Sequence, residues 1–195
     1  MPETSEDGLK RQPPDVTALL RVLGEARVNY VVTGSAAAML HGVRLVPGDL
    51  DITPARDVDN LTRLAAVLES IEARQDPSAP FGYWECGDDG EQHWVKTAPT
   101  QEAVAARASW KPNPVDPASF DYLLQSRHGA LDVVPEVSGT YEDLIARAVL
   151  LDIDGLRVWV ESVEDLLATL TVPRRAKDRD RVEQLRALHR APRAD

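Results

Sequence analysis

Two aspartates at alternate positions form the pattern in this sequence that most directly suggests chemistry. Asp49 and Asp51 lie in a run where polar and apolar residues alternate, as they do in a half-buried β-strand that Pro54 ends. Alternate residues of a strand share one face, so the two carboxylates are predicted to project together, about 6.6 Å apart along the chain. Such a pair could hold Mg²⁺, which proteins bind through one or two carboxylates plus substrate phosphates. The same pattern also fits a strand with one face in water.

A second candidate site lies at Gly34 and Ser35. The run 30–33 is typical of a buried strand, and strong helix formers follow the Gly-Ser pair. Glycine lets the backbone approach a ligand closely, and the free N–H groups at a helix N-terminus favour an anion such as a triphosphate. Ser35 could add a hydroxyl donor, although serine is also an ordinary helix cap.

Asp132 is the third candidate, because it is an acid within an otherwise apolar strand-like run that includes Leu131 and Val133. Burying an unpaired carboxylate is costly, so this side chain needs a metal or a cation as partner, or it must face solvent. Its setting alone fits a solvent-facing strand residue as well as a catalytic one.

The elements that must position these residues follow from hydrophobic periodicity and cap signals. Helices are predicted at 15–26, 36–41, 57–71, 140–148, from 162 onward and over the final charged segment; strands are predicted at 30–33, 49–53, 120–124, 130–134, 149–153 and 156–160. The last four strands form two predicted hairpins, and Asp154-Gly155 is the stronger turn signal. This order predicts an α/β or α+β mixed sheet with flanking helices packed on it.

Length and composition predict one ordinary domain, or one domain plus an appendage. The chain has 195 residues, a formal net charge of −10 and one cysteine, Cys86, which excludes an intramolecular disulfide framework and fits a reducing cytosol. We expect a disordered tail at 1–13 and a single domain at 14–195, with an irregular insertion at 73–118. The C-terminal helix is predicted to be basic, since 173–195 contains eight Lys and Arg against four Asp and Glu.

The same features limit which cellular compartment and which partners are expected. No apolar run approaches the roughly 18 residues that a membrane span requires, and the polar N-terminus has no signal-peptide core, so a soluble cytoplasmic protein without membrane association is expected. The acidic balance argues against a surface that binds nucleic acid everywhere, because such binding depends on Lys and Arg. The basic C-terminal segment could still meet a polyanion locally.

Taken together, the three sites resemble the DNA polymerase beta-like nucleotidyltransferase superfamily. The resemblance rests on Thr33-Gly34-Ser35 after the first strand, Asp49-Leu50-Asp51-Ile52 on the next and Leu131-Asp132-Val133 on a later one. More narrowly, the chain looks like the small bacterial nucleotidyltransferases related to abortive-infection toxins of toxin–antitoxin systems. The likeness runs in order over about residues 15–190, except for 73–118.

This resemblance implies a nucleotidyltransferase-like fold and transfer of a nucleoside monophosphate from an NTP, such as ATP, to a hydroxyl acceptor with release of pyrophosphate. It implies that Asp49, Asp51 and Asp132 bind Mg²⁺, with Asp132 also a candidate base toward the acceptor. Gly34 and Ser35 would hold the β- and γ-phosphates. The implied acceptor is tRNA or a protein, as for a toxin, and a cognate antitoxin is a candidate partner.

The sequence departs from the family pattern at one position. Many relatives place a lysine near the end of the helix that begins at Ser162, where this chain has Leu170. Arg175 and Lys177 match an R-x-K-D segment of the family, and Arg44 precedes the two aspartates. Each of these three cations is either a phosphate contact or a solvated surface charge.

Two other functions stay open at this point. The acidic balance fits adenylylation of a small cationic molecule such as an aminoglycoside, which a basic acceptor that raises turnover would reveal. The missing lysine fits a non-catalytic nucleotide-binding module, which would bind a nucleotide and release no pyrophosphate.

Overall fold

The computed structural model describes residues 12–86, 92–134, 139–170 and 176–190. The predicted tail at 1–13 lies mostly outside these ranges. Arg175 also lies outside them, and of Lys177 only the backbone is described. The predictions for these residues stay predictions.

A seven-stranded mixed sheet forms the centre of the fold. In chain order its strands are β1 (Tyr30–Thr33), β2 (Leu50–Pro54), β3 (Arg74–Gln75), β6 (Leu123–Ser126), β7 (Gly129–Val133), β8 (Val149–Ile153) and β9 (Leu156–Val160). Their spatial order is β3-β6-β7-β2-β1-β9-β8. The β1/β2 pair is antiparallel, whereas β2/β7 and β1/β9 are parallel, so the predicted mixed-sheet fold class is confirmed.

Seven helices are described around this sheet. They are α1 (Val16–Glu25), α2 (Gly34–Leu40), α3 (Val58–Ser70), α4 (Gln101–Ala108), α5 (Tyr141–Ile145), α6 (Val163–Thr169) and α7 (Ala176–Arg190). Polar caps start several of them: the side chains of Asp57 and Ser162 accept from the N–H groups of Asn60 and Asp165 at the first turns of α3 and α6. The starts of these two helices agree with the predicted starts at 57 and 162.

The core lies on one face of the sheet and fixes the direction of the functional side chains. Leu50 and Ile52 of β2 are fully buried, as is Leu131 of β7, in one cluster with leucines of α1 and α3. Because strand residues alternate between faces, burial of Leu50 and Ile52 turns Asp51 to the opposite face. A shift of β2 by one residue in its pairing register would instead place the Asp51 carboxylate in the apolar core.

A buried asparagine anchors both strands that carry the candidate site. The side chain of Asn60, on α3, is fully buried, and its Nδ2 donates to the carbonyl oxygens of Asn29 at 2.9 Å and Ala55 at 2.8 Å. Asn29 immediately precedes β1, and Ala55 immediately follows β2. This one amide therefore holds the two strands to the helix layer at the end away from Asp51.

The structure differs from the sequence prediction in several boundaries. Strand β2 begins at Leu50, so Asp49 precedes the strand and is not part of it. The first predicted hairpin is shorter than expected, because a 3-10 helix at Pro117–Phe120 takes the place of its start. Pro117 favours that turn by fixing φ at the first helical position.

The stretch 73–118, which the sequence presents as irregular, contains several regular elements. They are β3, a separate antiparallel pair formed by β4 (Gly82–Cys86) and β5 (Gln92–Lys96), and α4. In addition, none of the helices described combines the length and the apolar character that a membrane crossing needs.

Candidate active site

Asp51 and Asp132 lie side by side on adjacent strands. They are register partners in the parallel β2/β7 pair, and both side chains are partly buried. Neighbouring strands lie about 4.8 Å apart, so the two residues share one face at close range. The two residues are 81 positions apart in the sequence, and the pairing of β2 with β7 brings them together.

Asp49 completes a group of three carboxylates around Asp51. Burial raises the pKa of Asp51 to about 8 from an ordinary value of 3.8, and the negative charges of Asp49 and Asp132 add to this rise. Asp49 and Asp132 therefore both lie within electrostatic reach of Asp51. A cation between them would relieve both the repulsion and the cost of desolvation.

The turn at Gly34 and Ser35 packs directly against the Asp51 carboxylate. Thr33 is the register partner of Asp51, and Gly34 follows it with a positive φ of 64°. A Cβ at position 34 would lie 2.5 Å from Asp51 Oδ2, a distance that real Cβ atoms do not tolerate. The backbone N–H of Ser35 donates to Asp51, and this hydrogen bond partly opposes the rise in its pKa. Glycine is therefore required here by the carboxylate itself.

Glu161 is a buried acid at the same turn, and sequence reasoning missed it. It follows β9 and has no exposed surface, and its Oε2 accepts from the Gly34 N–H at 3.2 Å. Its own N–H donates to the Val32 carbonyl at 2.8 Å, and its carbonyl oxygen lies 2.8 Å from Nε2 of His41. Glu161 thus ties the end of β1 to both ends of α2. A glutamate between apolar Val160 and the cap Ser162 was the only signal in the sequence.

The N–H groups of Gly34 and Ser35 therefore already have carboxylate partners in this structure. Gly34 N–H faces Glu161, and Ser35 N–H faces Asp51. The phosphate contacts that the resemblance implies for Gly34 and Ser35 stay predictions. What the structure adds is a role for this turn in holding Asp51.

Arg181 is the second residue that sequence reasoning missed. It lies on α7, and its positive charge lowers the pKa of Asp51, opposing the effect of the neighbouring acids. Its Nε is buried. The available signal was helical spacing, because Arg181 is four residues before Leu185, which is fully buried.

The other predicted cations are placed less centrally. The side chain of Arg44 is exposed, while its backbone N–H donates to Gln184 Oε1 at 2.8 Å and so joins the loop before β2 to α7. Leu170 follows the last turn of α6 and packs against the hydrophobic core. A leucine in that setting supplies packing at the position where a lysine would supply charge.

The donor set suits a hard cation that brings further ligands with it. In the ranges that the structure describes, no three or more His, Cys, Asp and Glu side chains are already arranged to hold a metal ion. Asp51 and Asp132 nevertheless present carboxylates from paired positions on adjacent strands, and Asp49 adds negative charge. Mg²⁺ commonly binds through one or two carboxylates and takes its other ligands from water and substrate phosphates. The residues therefore fit a hard divalent cation such as Mg²⁺ that takes its other ligands from elsewhere.

Comparisons with known proteins find a likeness among solved structures alone. No family model and no curated protein matches the sequence. Among solved structures, an antigenic nucleotidyltransferase-like protein from Paracoccidioides brasiliensis is similar with a TM-score of 0.46 and 16% sequence identity. The match covers 89% of this chain and 72% of that chain. A likeness of this extent leaves the function to the chemistry of the site.

The raised pKa of Asp51 predicts a pH-dependent effect of Asp51→Asn on stability. The folded protein holds this proton up to about pH 8, whereas the unfolded chain releases it near pH 4, so the contribution to stability present below pH 4 is lost as pH rises through 8. Asparagine cannot ionise. At pH 8 with a metal chelator, the variant should be more stable than wild type by about 1 kcal/mol or more.

Urea unfolding at pH 5 and pH 8 measures this difference. Asp116→Asn, which removes an exposed carboxylate, is the matched control and should follow wild type at both pH values. If Asp51→Asn gives the same difference from wild type at pH 5 as at pH 8, the assignment of the raised pKa to Asp51 is wrong.

The contact between Gly34 and Asp51 predicts that alanine is poorly tolerated at position 34. Gly42 supplies the control, because it too has a positive φ, of 101°, but open space where its Cβ would be. Both variants carry backbone strain, and only Gly34→Ala adds a clash with a carboxylate. Gly34→Ala should therefore cost at least about 1 kcal/mol more unfolding free energy than Gly42→Ala, as overpacking does. Equal losses in urea unfolding would contradict the close contact.

Proposed function

We propose that this protein is a Mg²⁺-dependent nucleotidyltransferase that moves a nucleoside monophosphate from an NTP to a hydroxyl acceptor. The observation that carries the proposal is the meeting of Asp49, Asp51 and Asp132 beside the Gly34–Ser35 turn. The Gly34–Ser35 turn, the Asp49 and Asp51 pair, and Asp132 come from three separate stretches of the sequence. Their order is the one on which the resemblance to the DNA polymerase beta-like superfamily rests.

In the proposed reaction an acceptor hydroxyl oxygen forms a bond to the α-phosphorus of the NTP. The bond from that phosphorus to the pyrophosphate oxygen breaks, and pyrophosphate leaves with the electron pair. The proton of the acceptor hydroxyl passes to the carboxylate of Asp132, which is the proposed base. Bound Mg²⁺ would neutralise charge on the attacking and leaving oxygens, and Asp49, Asp51 and Asp132 would hold it.

The chain's own residues supply positioning. Asp51 is fixed by the Ser35 N–H and by close packing against Gly34, so its carboxylate cannot swing away from Asp132 without breaking both. Glu161 fixes Gly34 in turn. Phosphoryl transfer depends mainly on such positioning together with charge neutralisation, so a rigid group of acids suits the reaction.

We propose a macromolecular acceptor, on tRNA or a protein, in the manner of a toxin nucleotidyltransferase that a cognate antitoxin restrains in the bacterial cytoplasm. The net charge of −10 also suits a small cationic acceptor such as an aminoglycoside, which the assay below includes. A non-catalytic nucleotide-binding module is the second candidate function. It is favoured by the packing of Leu170 into the core at the position where relatives carry a lysine.

The test supplies each of the four α-labelled NTPs with Mg²⁺ and offers total tRNA, a protein lysate or an aminoglycoside pool. Label transfer and pyrophosphate release are both measured. One acceptor class should become labelled, and Asp49→Ala, Asp51→Ala and Asp132→Asn should each lower the rate on the order of a hundredfold or more while remaining folded. Asp116→Asn, which removes an exposed carboxylate that is not one of the three acids, should match wild type.

The two candidate functions separate cleanly in this assay. Nucleotide binding without pyrophosphate release, under every acceptor, would replace the enzyme with the binding module. Label transfer that survives in Asp51→Ala would contradict the proposed site while leaving the activity itself in place.

A further inference from the structure

Arg181 lies on α7, a helix that is joined to the loop before Asp49. Val182 and Leu185 of α7 are both buried, Leu185 completely, so this face of the helix packs inward. Gln184 accepts from the backbone N–H of Arg44 at 2.8 Å, which joins α7 to the loop that leads to Asp49. Arg181 precedes Val182 directly and lies one helical turn before Leu185. Arg181 therefore lies on a packed helix joined to the loop before Asp49, and its charge acts on Asp51.

The guanidinium group has a hydrogen-bonding capacity that the protein does not use. Its Nε is buried, and in the part of the chain that the structure describes this atom has no hydrogen-bond partner. A buried donor without an acceptor costs free energy, and such groups are rare in folded proteins. An anion bound at this place would remove that cost.

The charge of Arg181 also reaches the centre of the site. It acts on Asp51, where it opposes the effects of Asp49 and Asp132. Among the other cations considered for a phosphate contact, Arg44 has an exposed side chain, whereas Arg175 and the side chain of Lys177 lie outside what the structure describes. A triphosphate approaching three carboxylates meets repulsion, and a cation fixed beside them offsets it.

We propose that Arg181 binds the triphosphate of the nucleotide, its guanidinium group donating hydrogen bonds to phosphate oxygens next to Asp51. The inference rests on the proposed function in that it takes the ligand to be an NTP. Arginine suits this role because it stays charged at any physiological pH and presents a planar set of donors that matches phosphate geometry. Arg181 would thus supply the charge that Leu170 does not.

The test is calorimetric binding of inorganic tripolyphosphate, in the presence of Mg²⁺, to the full chain. This probe carries the phosphates without base, sugar or acceptor, so it reports the contact apart from catalysis. Arg181→Gln should weaken binding by about tenfold to a hundredfold, as loss of a charge-assisted hydrogen bond does. Arg186→Gln removes the same charge from an exposed position of the same helix and should stay within about twofold of wild type.

A titration with Mg²⁺ alone separates phosphate binding from simple neutralisation of Asp51. If Arg181 contacts phosphate, Arg181→Gln loses tripolyphosphate binding and keeps or improves Mg²⁺ binding, because a competing cation has gone. If Arg181 only neutralises Asp51, the variant binds tripolyphosphate as wild type does, and the proposal is overturned. Absence of tripolyphosphate binding by wild type would overturn it too.

Separate control experiments check that each variant folds and that phosphate binding is distinguished from catalysis. Thermal unfolding checks each variant, and Arg181→Met, which keeps the apolar packing of the side-chain stem, replaces Arg181→Gln if the latter does not fold. Loss of tripolyphosphate binding in the variant, with no label transfer by wild type, would support this inference and overturn the transferase. Label transfer by wild type with an unchanged KM for NTP in Arg181→Gln would support the transferase and overturn this inference.

Discussion

The carboxylate of Asp51 is largely removed from water and lies near two further acids, so its ionised form is costly in free energy. The neighbouring residues of the site either offset this cost or hold Asp51 in place despite it. Desolvation is the largest cause of its raised pKa, and the charges of Asp49 and Asp132 follow. Two groups work against this cost within the protein, the Ser35 N–H and the Arg181 guanidinium. They offset it incompletely, since the pKa of Asp51 still lies near 8. The balance that remains favours binding of a further cation.

The fold sustains this costly arrangement by fixing the residues on either side of it. Leu50 and Ile52 are buried in the apolar core, so the strand cannot rotate Asp51 toward water without exposing both. Glu161, buried at the end of β9, holds the glycine turn against Asp51 from the other side. Strained and like-charged groups persist in proteins where the surrounding structure determines them fully, and such places are commonly functional.

Sequence reasoning found the acids and missed the residues that hold them, for a physical reason. Alternation along β2 and the apolar flanks of Asp132 are local signals, and so are the caps of α3 and α6. Glu161 reaches Gly34 across 127 positions, through the parallel pairing of β1 with β9, and Arg181 depends on how α7 docks. Helical periodicity can indicate that Arg181 lies near the inward face of α7, but it does not encode which residue the side chain meets there. Gly34 was singled out for the close approach of a ligand, which stays a prediction, and the group that lies against it in the structure is the Asp51 carboxylate.

The central claim is that Asp51 and Asp132 hold a divalent cation together with a nucleotide, and anomalous diffraction tests it most directly. Crystals grown with Mn²⁺, which replaces Mg²⁺ and scatters anomalously, and a non-hydrolysable NTP analogue should show manganese bonded to both carboxylates and to the triphosphate. The triphosphate should lie on the side of Asp51 that faces Arg181. Manganese bound elsewhere, or a nucleotide ordered away from these acids at saturating concentrations, would contradict the account.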